Sequence, residues 1–190
     1  MFKLVAAIII YSFCFCQAFA GQASTCAQCH GDKGSAFATL AGQQPAYFIK
    51  RVLHFREQGR KGSNDVMANA AVGLSNADIK QLAAYFAKQK PVLGDSKVDR
   101  LTEGRNLFLG GNLRYHIPAC ASCHTPTGAG NNAAGVPRIA GQNPDYIAQQ
   151  LHAFRRDERH SSHHGAMSGV AKKLTDDEIQ VLANFIAGLY

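Results

Sequence analysis

Two stretches of this chain align with each other, and that repeat limits the possible folds more than any other feature. The first reads CAQCH, LAGQQPAYF, FR, Met67 and LSNADIKQLAAYF in order. The second reads CASCH, IAGQNPDYI, FR, Met167 and LTDDEIQVLANFI. Cys26 pairs with Cys120 at an offset of 94, while Gln43, Pro45, Tyr47, Phe55 and Arg56 recur at 99. Met67 and Ile79 recur at 100 as Met167 and Ile179. The step from 94 to 99 places five extra residues in the second copy, within TPTGAGNNAAG after His124. A duplicated order of this kind means two similar domains in tandem. The stretch KQKPVLGDSKVD, where proline, glycine and charge interrupt the apolar pattern, is the expected linker. We therefore expect domains over 21–92 and 93–190.

Each copy reads as helical. Pro45 can open a helix, Phe48, Val52 and Phe55 share a face at i, i+4, i+7, and Gly59 can close it. Ser75 with Asp78, and Thr175 with Glu178, have the spacing of a capping box. Ile79, Leu82, Ala83 and Phe86 form one apolar stripe, and Ile179, Leu182, Ala183 and Ile186 the other. No alternating strand pattern with hairpin turns is present. The fold class expected is all-α.

CAQCH and CASCH are both C-x-x-C-H, the attachment signature of c-type haem. The spacing has a chemical reason. Two thiols three residues apart can each form a thioether to one vinyl group of the same porphyrin, and the next residue then presents an imidazole to the iron. Cys26 and Cys29 would hold one covalent haem c and Cys120 and Cys123 a second, with His30 and His124 as proximal ligands. A thioredoxin-like site would need a βαβ context, and a zinc site a second cysteine pair roughly 15–20 residues away. A disulfide suits an oxidising compartment but leaves the histidine after both pairs unexplained. Each half has under about 100 residues, a size at which a domain often needs a staple, and a tethered macrocycle supplies core and staple together.

The sixth ligand follows from register. Beyond the first twenty residues the only methionines are Met67 and Met167, at matching places shortly before the last helix of each copy. One methionine is ordinarily core filler. Two in register, one per haem, read as axial ligands, and Met/His ligation raises a haem's potential. His160, His163 and His164 crowd around Met167 but have no counterparts in the first copy, so they read as loop residues; His54, His116 and His152 also lack partners across the repeat. A carbonyl is expected to fix each proximal imidazole: Pro137 for His124 and Ala38 for His30. Arg56, Arg155, Tyr47 and Tyr146 are candidates to reach haem propionates.

The first twenty residues have a positive Lys3, an apolar run and Ala18-Phe19-Ala20, the pattern of a secretory signal peptide cleaved after Ala20. The run is short for a bilayer span, which takes roughly 20 apolar residues. Export implies a periplasmic location and argues against nucleic acid as the target of a chain with formal charge +7. From Gly21 to Gly94 there are nine Lys/Arg and four Asp/Glu; from Asp95 to Tyr190 there are ten and nine. A basic first half suits an acidic protein partner or an anionic membrane surface, or serves solubility alone.

Taken together, the paired C-x-x-C-H motifs, LAGQ and IAGQ followed by Pro and Tyr, the FR pairs, the two methionines, GVAKKL and GGNLRYHIPACASCH resemble the dihaem cytochrome c4 family over nearly all of the exported chain. The resemblance implies two class I cytochrome c domains related by a pseudo-twofold axis, in a non-enzymatic periplasmic electron carrier often associated with the membrane. It implies a quinol–cytochrome c reductase as electron donor and a haem-copper terminal oxidase as acceptor. The competing readings are a dihaem electron-accepting subunit of a periplasmic dehydrogenase, such as a flavoprotein, and a dihaem peroxidase or thiosulfate-oxidising enzyme. Two departures stand out. Only Gly21 to Thr25 precede the first haem motif where the family has a helix, which LTEGRNLFLGG supplies before the second. Ala38 also stands where the family has proline.

Overall fold

The computed structural model describes residues 21–31, 37–60, 65–91, 94, 96, 99–159 and 165–189. The proposed signal segment and the histidines 160, 163 and 164 lie outside them. The described part is helical. Helix α1 covers residues 21–30, followed by α2 (Pro45–Arg60), α3 (Val66–Val72) and α4 (Asn76–Lys88). The second copy has α5 (Leu101–Gly110), a 3-10 turn at Leu113–Tyr115, α6 (Ala121–His124), α7 (Pro144–Arg155), α8 (Ala166–Ala171) and α9 (Asp176–Ala187). Among the described residues there are no strands, only isolated bridges at Asn112–Ile117 and Asn131–Val136. No described helix is long and apolar enough to cross a membrane.

The sequence-level caps are present. Ser75 Oγ accepts from the Asp78 N–H while the Asp78 carboxylate accepts from the Ser75 N–H, and Thr175 with Glu178 repeats the exchange. Gly59 does not end its helix, which continues to Arg60. Its role is clearance: a Cβ there would sit 2.5 Å from the Ala68 carbonyl oxygen, so α2 and α3 touch backbone to backbone.

Two cores form. One gathers Ala23, Phe48, Val52, Ile79, Leu82 and Phe86; the other gathers Phe108, Ile147, Leu151, Ile179, Leu182 and Ile186. Fully burying each such large side chain contributes roughly 1.5–3 kcal/mol. The short stretch before the first motif still makes one helical turn that runs on into the motif. Ser24 and Thr25 hydroxyls donate to the Gly21 carbonyl at 2.9 Å, and Ala23 is buried in the first core. Five residues therefore supply part of the packing that α5 gives the second half through fully buried Phe108.

Buried amides join the halves. The Gln142 side chain accepts from the Thr39 N–H at 2.9 Å and donates to the Thr39 carbonyl at 2.7 Å. Gln43 does the same with the backbone of Arg138, at 2.8 and 3.0 Å. Gln43 and Gln142 are repeat equivalents, and so are Thr39 and Arg138, all at an offset of 99. Such a reciprocal exchange is the mark of an approximate twofold axis. The extra loop of the second copy adds further contacts across the seam: Gln44 donates to the Ala129 carbonyl at 2.7 Å, and the Ala46 N–H donates to Asn132 at 2.9 Å.

Candidate functional site

In the first half, α1 places Cys26 about one turn before the adjacent Cys29 and His30. Cys26 packs against the core, and burial pushes its thiol above the usual range; Cys29 faces solvent. His30 Nδ1 lies 2.6 Å from the Ala38 carbonyl oxygen. A carbonyl can only accept, so Nδ1 carries the proton and Nε2 keeps its lone pair. That nitrogen stands 3.4 Å from Met67 Sδ. Met67 is the second residue of α3, whose start is fixed by Asp65 accepting from the Ala68 N–H at 3.0 Å.

The second half repeats the arrangement. Cys120 packs against the core, and burial raises its thiol to about 11; Cys123 is exposed. None of the four described motif cysteines is in a disulfide. His124 is buried, and its Nδ1 donates to the Pro137 carbonyl at 3.1 Å. Burial lowers its pKa while the Pro137 bond opposes that shift, so the imidazole favours the neutral, ligating form. Met167 is the second residue of α8 and packs partly buried on the second core. Gly165 caps α8 at φ 76, in the left-handed region.

A carboxylate-bearing macrocycle fits what surrounds these groups. Among the described residues the Nε donors of Arg138 and Arg159 are buried without an acceptor, at the seam between the halves. Arg159 also donates to Tyr47 of the first half at 2.7 Å and to Tyr146 of its own at 3.4 Å. Propionate groups are acceptors of the charge and size that such buried guanidinium donors lack.

Comparison with known proteins decides the family. The profile described as "Cytochrome c" matches residues 102–189, and that described as "Cytochrome C oxidase, cbb3-type, subunit III" matches residues 19–86. A cytochrome c4 of Azotobacter vinelandii is 34% identical over 182 residues, covering 90% of this chain and 87% of the relative. The crystal structure of reduced recombinant cytochrome c4 from Pseudomonas stutzeri superposes with a TM-score of 0.81 at 34% identity, covering 92% of this chain and 98% of that one. The chain belongs to the cytochrome c4 family. It is a dihaem electron carrier rather than an enzyme, with two covalently bound haem c groups. A further relative of this cytochrome c4-family chain is a "Thiosulfate dehydrogenase electron acceptor" of Stutzerimonas stutzeri (strain A1501), 32% identical over 176 residues, covering 88% of this chain and 80% of the relative.

Arg56 and Arg155, the sequence candidates for reaching propionates, each bond within their own half. Arg56 donates to the Leu74 carbonyl at 2.9 Å and to Asn76 at 2.7 Å. Arg155 donates to the Leu174 carbonyl at 3.2 Å and to Asp176. Arg138 and Arg159 are cations at the seam that repeat matching alone does not single out. Gly130 was also unread: at φ 78 it lies so close to Pro137 that a Cβ would approach its carbonyl group to 2.5 Å. It thus leaves room for the carbonyl that holds His124.

Proposed function

We propose that Cys26 and Cys29 carry one haem and Cys120 and Cys123 the other, with His30 and Met67 binding the first iron and His124 and Met167 the second. When bound, each haem iron supplies one-electron chemistry by alternating between ferric and ferrous states. The thiols tether the group, the carbonyls of Ala38 and Pro137 hold the imidazoles in one tautomer, and the thioethers favour the reduced state. The observation that carries this reading is the approach of His30 Nε2 to Met67 Sδ at 3.4 Å, from residues 37 positions apart. Met67→Ala should turn one haem high-spin and remove half of the sulfur-to-iron absorption at the red end of the ferric spectrum. An unchanged band would refute the assignment.

We further propose that the chain is exported after cleavage at Ala20, with its domains divided near residue 92, and carries electrons in the periplasm. There it would take them from a quinol-oxidising complex towards a haem-copper terminal oxidase. The first half, with its exposed Lys50, Lys80, Lys88 and Lys90, faces an acidic partner or membrane surface. In the second half Arg100, Arg155, Arg156 and Lys172 are already paired with carboxylates. The relative named as a thiosulfate dehydrogenase electron acceptor supports a second reading, in which the donor is a periplasmic dehydrogenase. Stopped-flow reduction by each donor separates them: fast reduction by the quinol-oxidising complex supports the first reading. Fast reduction by the dehydrogenase alone supports the second.

A further inference from the structure

The two methionines stand on helices too short to hold themselves. Helix α3 has seven residues and α8 has six, well under the roughly 12–15 residues at which an isolated helix becomes even marginal in water. Tertiary contacts must therefore set where each sulfur sits. The same contact recurs in both halves. An arginine from the long preceding helix spans to the turn between the methionine helix and the last helix. One guanidinium nitrogen of Arg56 donates to the Leu74 carbonyl and the other to Asn76. Arg155 addresses the Leu174 carbonyl and Asp176 in the same way. Leu74 and Leu174 each lie seven residues after the methionine, and Asn76 and Asp176 each lie nine after it. The methionine helix is thereby bound to α2 or α7 on one side. The turn is continuous with a last helix whose Ile79 or Ile179 is fully buried.

We propose that Arg56 and Arg155 are positioning residues for the axial methionines: each fixes the exit of the methionine helix and so holds the sulfur at its iron. The inference rests on the assignment of Met67 and Met167 as ligands. It predicts how firmly each sulfur stays in place rather than whether it binds. The planar fork suits the task, because it serves a carbonyl and a side chain in one rigid geometry. The two pins differ in one respect. Arg56 closes on a neutral amide, whereas Arg155 closes on a carboxylate and has His152 Nδ1 3.0 Å away.

The test uses holoprotein carrying Arg56→Met or Arg155→Met, which keep the apolar stem and remove the donors. Imidazole is added to the ferric protein, and its binding rate is read at each haem together with the potential and the sulfur-to-iron band. Losing a hydrogen bond from a charged donor should speed imidazole entry about tenfold or more. The change should appear in half of the amplitude only, with a lower potential for that haem. Arg56→Lys, which can still reach the Leu74 carbonyl, should recover part of the wild-type rate. It also decides the matter by the same readouts if the methionine variant gives no folded holoprotein. Entry rates within twofold of wild type, with unshifted potentials, would overturn the proposal, even if thermal stability falls. A wild type without the sulfur-to-iron band would instead overturn the ligand assignment beneath it.

Discussion

Replacing Gln142 by alanine tests what joins the halves. The Gln142 side chain is 4% exposed and Thr39 7%. Its amide orientation is set by its partner, since the Thr39 N–H requires the oxygen and the Thr39 carbonyl requires the nitrogen. Truncation removes both bonds and leaves a buried donor and a buried acceptor unsatisfied. Each costs about 1–3 kcal/mol. Freedom regained by losing a long side chain offsets about 1–2 kcal/mol of that. The net loss is about 1–4 kcal/mol, which weakens docking of the halves roughly 5- to 700-fold at about 1.4 kcal/mol per decade. Gln43→Ala should behave alike, because it strips the Arg138 backbone of the same two bonds. Gln44→Ala loses a single bond at a half-buried site and should cost under about 1 kcal/mol. The assay is guanidinium unfolding followed by haem absorbance and by far-ultraviolet dichroism. The variants should lose cooperativity and split into two transitions. A single transition within about 0.5 kcal/mol of wild type for Gln142→Ala would refute the reasoning.

Gly59→Ala gains up to about 1 kcal/mol of helix propensity but drives a Cβ into the Ala68 carbonyl, an overpacking cost of about 1–3 kcal/mol. Thermal melts should show neutral to modest destabilisation, with the perturbation at the haem nearer Met67. Gly130→Ala combines φ 78 with a clash at Pro137, so the His124 haem alone should shift in potential and the melting temperature should fall. Reaction with an acidic partner should slow as salt rises, because exposed charges are screened over roughly 8–10 Å at physiological ionic strength. Lys50→Glu should slow it more than Lys173→Glu, as stopped-flow rates will show. Arg100 and Arg155 hold the Asp177 and Asp176 carboxyls below the usual carboxylate range. Depressed folded values mean stability that is present above about pH 4 and lost as pH falls through them. Asp177→Asn should therefore flatten the acid limb of an unfolding-versus-pH curve.

The repeat made much of this legible in the sequence. Cys, His and Met fall at fixed offsets, so the expected carbonyl partners, Ala38 and Pro137, could be named before any geometry. The caps at Ser75 and Thr175 were visible because they depend on neighbours three residues apart. What escaped depends on contacts between distant segments. Arg56 and Arg155 were matched to each other correctly. Their targets are backbone carbonyls, though, which carry no residue-type signal. Gly59 looked like a helix stop because glycine serves both as terminator and as clearance, and only the nearby Ala68 carbonyl distinguishes the two. Gln43 and Gln142 showed in the alignment as a matched pair. Their mutual exchange becomes visible only when the halves face each other. Arg159 belongs to no quoted motif and gains its role by reaching Tyr47 across the seam.

The measurement that tests the central claim most directly is an optical redox titration of the purified protein. Two haems, each held by histidine and methionine, predict two electrons taken up per chain. Both irons should be low-spin, and the ferric sulfur-to-iron band should have an amplitude appropriate to two sites. Uptake of one electron per chain, or one high-spin haem in the wild type, would contradict the account.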